Sequence, residues 1–83
     1  MARQYAVVDH RAISPTSYHP AADAALDAAR ATAASALVDL GLARTVEEQC
    51  ADGTLIFGEW GDLGPHGQPS DPVPLVWVDE LGR

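Results

Sequence analysis

From Pro20 to about Leu40 the chain passes through an alanine-rich stretch with no internal glycine or proline, and Gly41 follows it. This predicts one long helix. Proline suits a first helical position, Asp23 and Asp27 fall in the half where the helix dipole favours acids, and a glycine just past the end can adopt the left-handed conformation. If Gly41 does so, Leu42 can pack back on Leu37, the contact that accompanies a Schellman ending. Ala22, Leu26, Ala29, Ala33, Leu37 and Leu40 recur as one face, with Asp23, Asp27, Arg30 and Asp39 mostly on the other. The buried stripe is thus mostly alanine. Alanine admits close approach, but each residue removes little apolar area from water compared with leucine.

The segments around the helix read as strands. "QYAVVDH" is a run of β-formers, and "RAISPTSY" reads as a turn marked by Pro15 and its neighbouring hydroxyls. "ARTVEEQCADGTLIFGEW" gives two strands, Arg44 to Cys50 and Thr54 to Trp60, around the turn Ala51-Asp52-Gly53, although "VEEQ" also suits a helical turn. "PLVWVDE" is the final strand, entered through Pro72 and Pro74. The expected fold class is α+β. Residues 1–83 form one small domain in the order β-α-β-β-β, with the alanine-rich amphipathic helix packed on an antiparallel or mixed sheet.

In "TLIFGEW" Leu55 and Phe57 fall on one face, Ile56 and Trp60 on the other; in "PLVWV" Leu75 and Trp77 oppose Val76 and Val78. Strands apolar on both faces are normally covered on both, and one helix covers one side. A second cover is expected: the long loop folded back, a second copy of the chain, or another protein. At 83 residues the chain is near the lower limit for a single core, so self-association into a dimer is the expectation.

The loop at about 61–73, "GDLGPHGQPSDPV", is far longer than the roughly 2 to 5 residues of a usual hairpin connection. Flexible closure costs grow slowly with length, so a plain connector is tolerated. As a functional loop it presents Asp62, Leu63, His66 and Asp71 between strands that carry tryptophans. The candidate protein-binding surface has Trp60, Leu63 and Trp77 as its apolar centre and Asp62 and Asp71 on a rim that steers a basic partner.

Five arginines, no lysine and twelve acids give a formal charge of -7, which argues against binding phosphate backbones; no nucleic-acid partner is expected. Alanine, arginine, glycine and proline in place of lysine and asparagine are what a GC-rich genome writes, so a bacterium or its phage is the expected source. No segment approaches the eighteen or so apolar residues of a membrane span, and the N-terminus lacks a long apolar run; a soluble, cytoplasmic protein with no membrane partner is expected.

Chemistry-bearing groups are sparse. Cys50 is alone, which excludes an intramolecular disulfide, and a small packed apolar group is its expected role. His10, His19 and His66 lack ligand-pair spacing, so no metal site is expected. Glu47 and Glu48 are adjacent and point to opposite faces of a strand, which rules out a shared-proton dyad. No phosphate-loop, dinucleotide, hydrolase-elbow or zinc-protease motif is present.

"SPTSYHPAADAALDAARATAASAL", Ser14 to Leu37, resembles the strand-to-helix passage of the dodecins, and their β-α-β-β order matches the start of this chain. That resemblance implies a small flavin-storing oligomer. The tryptophan that the family places after the helix to stack on flavin has no counterpart in "GLARTVEEQ", and the long loop has none in the family, so no cofactor is assigned. The expected function is a non-enzymatic protein-interaction module: a regulator, inhibitor or immunity-type factor. The alternatives are an oligomeric ligand-binding or storage protein with a tryptophan-lined pocket, and an accessory subunit of an enzyme.

Overall fold

The computed structural model describes residues 4–12, 15–61 and 71–81. Its elements are β1 (Gln4–Asp9), β2 (Ser17–His19), α1 (Ala22–Leu40), β3 (Arg44–Cys50), β4 (Gly53–Glu59) and β5 (Val73–Leu81). The strands form one sheet in the order β2-β1-β5-β4-β3, antiparallel at every junction, and α1 packs on one face. The expected α+β class is the one observed. The order gains a strand, since the segment read as a turn holds β2, whose Tyr18 pairs with Ala6. Thr16 ties that segment to β1 without ending the extended chain: its amide and hydroxyl both donate to the Val7 carbonyl.

The helix begins at Ala22, with Ala21 extended at its N-cap, so Pro20 precedes the helix rather than opening it. Asp23 lies in the first turn and accepts from the Ala24 amide, satisfying one of the end's orphan donors. Gly41 is left-handed at φ 70, its amide donating to Val38 and the Leu42 amide to Leu37, which is the double bond of a Schellman ending. The buried stripe is Ala25, Ala29, Ala33 and Ala36. The anticipated face is therefore rotated: Ala22 is exposed, Leu40 is 42% exposed, and Leu26 and Leu37 are half-buried at the margins. Along the line of closest approach only a methyl group fits, and the leucines fill the wider gaps beside it.

Beneath the alanines lie Val7, Ile56, Leu75 and Val76, the largest fully buried side chains. Leu75 and Val76 are neighbours, and strict alternation would place them on opposite faces. A register shift resolves this: Ile56 pairs with Val76 but Phe57 pairs with Pro74, so β5 carries one extra residue and both side chains reach the helix side. Gly58 leaves room for this crowding, because a Cβ there would run into Leu42 Cδ1 and stand against Leu75 Cδ1. Among the described residues no helix is long and apolar enough to cross a membrane.

An ionic chain ties the helix end to the sheet. Asp9, buried at the end of β1, accepts from the Arg11 amide, Nε and Nη2, and Arg11 Nη1 donates to Asp39 Oδ2 at 2.9 Å. Asp39 lies in the last turn of α1, where the dipole disfavours a carboxylate, and Arg11 offsets that. The Arg11 hydrogen bond holds the Asp9 carboxyl below its ordinary pKa, as Arg30 does for Glu47.

Two outcomes follow. Gly53 has φ 156, and a Cβ there would strike the Val78 carbonyl, whereas one at Gly41 meets nothing. Gly53→Ala is expected to cost more than about 2 kcal/mol in urea unfolding and Gly41→Ala about 1 kcal/mol. Carboxyls with lowered native pKa contribute stability that is complete above their unfolded values and lost as pH falls through the native ones. The thermal midpoint should therefore hold from neutral pH to about 5 and decline below about 4, with Asp9→Asn lowering the neutral midpoint and flattening the acid limb.

Candidate interaction face

The face of the sheet turned away from α1 is built by register. Val8, Trp77 and Leu55 lie in one row across β1, β5 and β4; Pro74, Phe57 and Val46 form the next across β5, β4 and β3. An antiparallel sheet with one solvated face usually alternates apolar inward and polar outward. Here the outward set is apolar too. Val8, Leu55, Phe57, Pro74 and Trp77 are half-buried, and Val46 is 40% exposed. Trp77 gains support from a missing side chain: Cζ2 would stand 3.2 Å from a Cβ at Gly53, so the indole lies across the glycine.

Carboxylates border this patch. Asp79 sits in the row beyond Trp77, and Glu48 continues the Val8 row on β3. A shallow hollow of about 260 Å³ opens between Val46, Glu48, Phe57, Glu59 and Pro72. Arg44 Nε donates to Glu59 at 2.7 Å, while Arg30 on α1 reaches Glu47 on the opposite face of β3. Glu47 and Glu48 thus divide between the faces as anticipated. Each described arginine is engaged: Arg11 with Asp9 and Asp39, Arg30 with Asp27 and Glu47, Arg44 with Glu59. Among the described residues Glu48, Asp71 and Asp79 make no ion pair, so the charge this face offers a partner is negative.

The two candidate tryptophans lie on opposite sides of the sheet. Trp60 packs against the helix-side core, whereas Trp77 lies on the open face. Parity accounts for this, since Trp60 follows Ile56 and Gly58 on the helix side. Asp71 is exposed just before β5. Asp62, Leu63 and His66 lie outside the described residues. The patch adds Val8, Leu55, Phe57 and Val46; Leu55 and Phe57 share a face in the alternation, and Val8 and Val46 join them only through the sheet register.

The remaining groups are dispersed. Cys50 is exposed, not packed, because it ends an edge strand opposite Gly53, which has no side chain to cover it. His19 Nε2 is 2.9 Å from Ser17 Oγ on β2, and His10 is exposed beyond the other end of β1. Among the described residues no three metal-binding side chains come together. On the helix side a groove of about 370 Å³ is lined in part by Tyr5, Asp23, Leu26, Gln49, Thr54 and Glu80; neither tryptophan lines it. No family model, curated protein or solved structure matches the chain.

Solvent contact of this patch is measurable with a neutral apolar dye. Nile red emission should rise on adding the native protein at neutral pH. Phe57→Thr combined with Trp77→Thr should remove most of that rise while moving the thermal midpoint by no more than about 8 °C, roughly 1 kcal/mol for a domain of this size.

Proposed function

We propose that the chain is a non-enzymatic protein-interaction module that binds a basic protein partner through the open sheet face around Trp77. One observation carries this reading: two adjoining rows of apolar side chains lie on the face that α1 does not cover. Contiguous exposed apolar surface rimmed by charge is where soluble proteins bind other proteins, and tryptophan is enriched among the residues that carry interface energy. The acids at the rim assign the partner's sign. A lysine or arginine of the partner would lay its aliphatic stem along Trp77 and bring its charge to Asp79, the next outward residue of β5. Rim charges of this kind act chiefly on association rate, and salt weakens their effect.

Trp60, on the helix side, has a structural part in this reading, and Asp71 joins the acidic rim. Affinity capture from the native host, read by mass spectrometry and then repeated with the purified partner, tests the proposal. Trp77→Ser is expected to weaken partner binding at least tenfold, and Trp60→Phe to leave it within about twofold. Equal binding by the Trp77 variant and the parent would overturn the assignment of this face.

A further inference from the structure

We infer that two copies of this chain pair through the outer edges of β3, in one register, to form a continuous sheet. β3 ends the strand order, and all seven of its residues are exposed. Backbone polarity follows from hydrogen bonds elsewhere in the sheet. The Glu80 amide donates to the Asp52 carbonyl, and the β4–β5 register puts those residues opposite each other, so even-numbered positions of β4 direct their backbone groups at β5 and odd-numbered ones at β3. The His10 amide donating to Leu75 follows the same alternation across β5. Through the β3–β4 register, Arg44, Val46 and Glu48 direct theirs at β4, which leaves Thr45, Glu47 and Gln49 facing the free edge.

Two antiparallel β3 edges can therefore bond only through those outward residues, and charge selects among the registers that do so. Centred on Glu47, the pairing opposes Glu47 to its own copy; centred on Glu48, it opposes two more carboxylates. Centred on Thr45, it leaves Glu48 without a counterion. Centred on Val46, Thr45 and Glu47 of the two copies exchange hydrogen bonds, Val46 meets Val46, and each Arg44 lies opposite Glu48 of the other copy. These last contacts fall at positions without backbone hydrogen bonds, where opposing side chains approach most closely. Glu48 makes no ion pair among the described residues of its own chain. Arg44 bonds Glu59 through Nε alone, so its Nη groups remain for Glu48 of the second copy. The two-fold axis runs perpendicular to the sheet, so both helices lie on one side and the two apolar faces join on the other.

Analytical ultracentrifugation of the full chain tests this. The parent should sediment at twice the monomer mass in the high micromolar range. Glu48→Arg alone and Arg44→Glu alone should each sediment as monomers. Their equimolar mixture should return to twice the mass, because every 44–48 contact then joins opposite charges. Thr45→Pro removes an outward amide without touching the β3–β4 ladder and should also halve the mass, which guards against misfolding of the charge variants. Trp77→Ser should leave the dimer mass unchanged, separating this contact from the proposed partner face. A monomeric parent, a single charge variant that stays dimeric, or a mixture that stays monomeric would overturn the inference.

Discussion

One helix offers one stripe of side chains, and a five-stranded sheet has two faces; the rest of this structure follows from that mismatch. The alanine stripe brings α1 close to β1, β5 and β4, and the branched residues beneath it make a thin but dry core. Alanine contributes little buried area per residue, so contact with the sheet must be wide to stabilise the helix at all. The bulge in β5 enlarges that contact by turning Leu75 and Val76 to the same side. Among the described residues no second helix covers the other face. Its apolar side chains stand in adjoining rows and are left half-buried.

Elements with a local cause were readable from residues alone. The helix end at Gly41 is set by a backbone conformation that glycine adopts without steric cost, and the turn at Ala51 to Gly53 by the same freedom. Strands β3, β4 and β5 followed from β-forming runs bounded by turn residues. The division of Glu47 from Glu48 needed only the period of two. The candidate face was legible in part, because Leu55 and Phe57 shared a side in any extended reading.

What the residues concealed depends on tertiary context. The bulge is invisible locally, since it arises from fitting Leu75 beside Gly58 and Leu42, which are distant in sequence. Without it, Leu75 reads as an outward partner of Trp77. The phase of the helix stripe was displaced for a similar reason: leucines mark a face by hydrophobicity, but closest approach is set by size, and alanine wins there. Trp60 and Trp77 lie on different sides of the sheet, because a tryptophan just past the end of β4 keeps the parity of Gly58 and lands on the helix side. β2 escaped notice because three residues beside a proline carry no periodic signal.

Arginine is scarce and its placement is economical. Arg11 joins β1 to the end of α1, Arg30 joins α1 to β3, and Arg44 closes β3 on β4, so each described cation holds a junction between elements. Every one of these contacts consumes positive charge that a balanced surface would display. Among the described residues, Glu48 on the edge strand and Asp79 on the open face make no ion pair, and they repel any neighbour that lacks cations. Such an edge resists indiscriminate strand addition, the hazard that exposed edges carry, because the registers centred on Glu47 and Glu48 oppose carboxylates. The register centred on Val46 escapes this because Arg44 is separated from Glu48 by an even number of residues, which places both on one side of the strand and lets antiparallel pairing match one to the other. In the proposed dimer, a single arginine at the right parity would thus turn a repulsive edge into one that admits its own copy and discriminates against other strands.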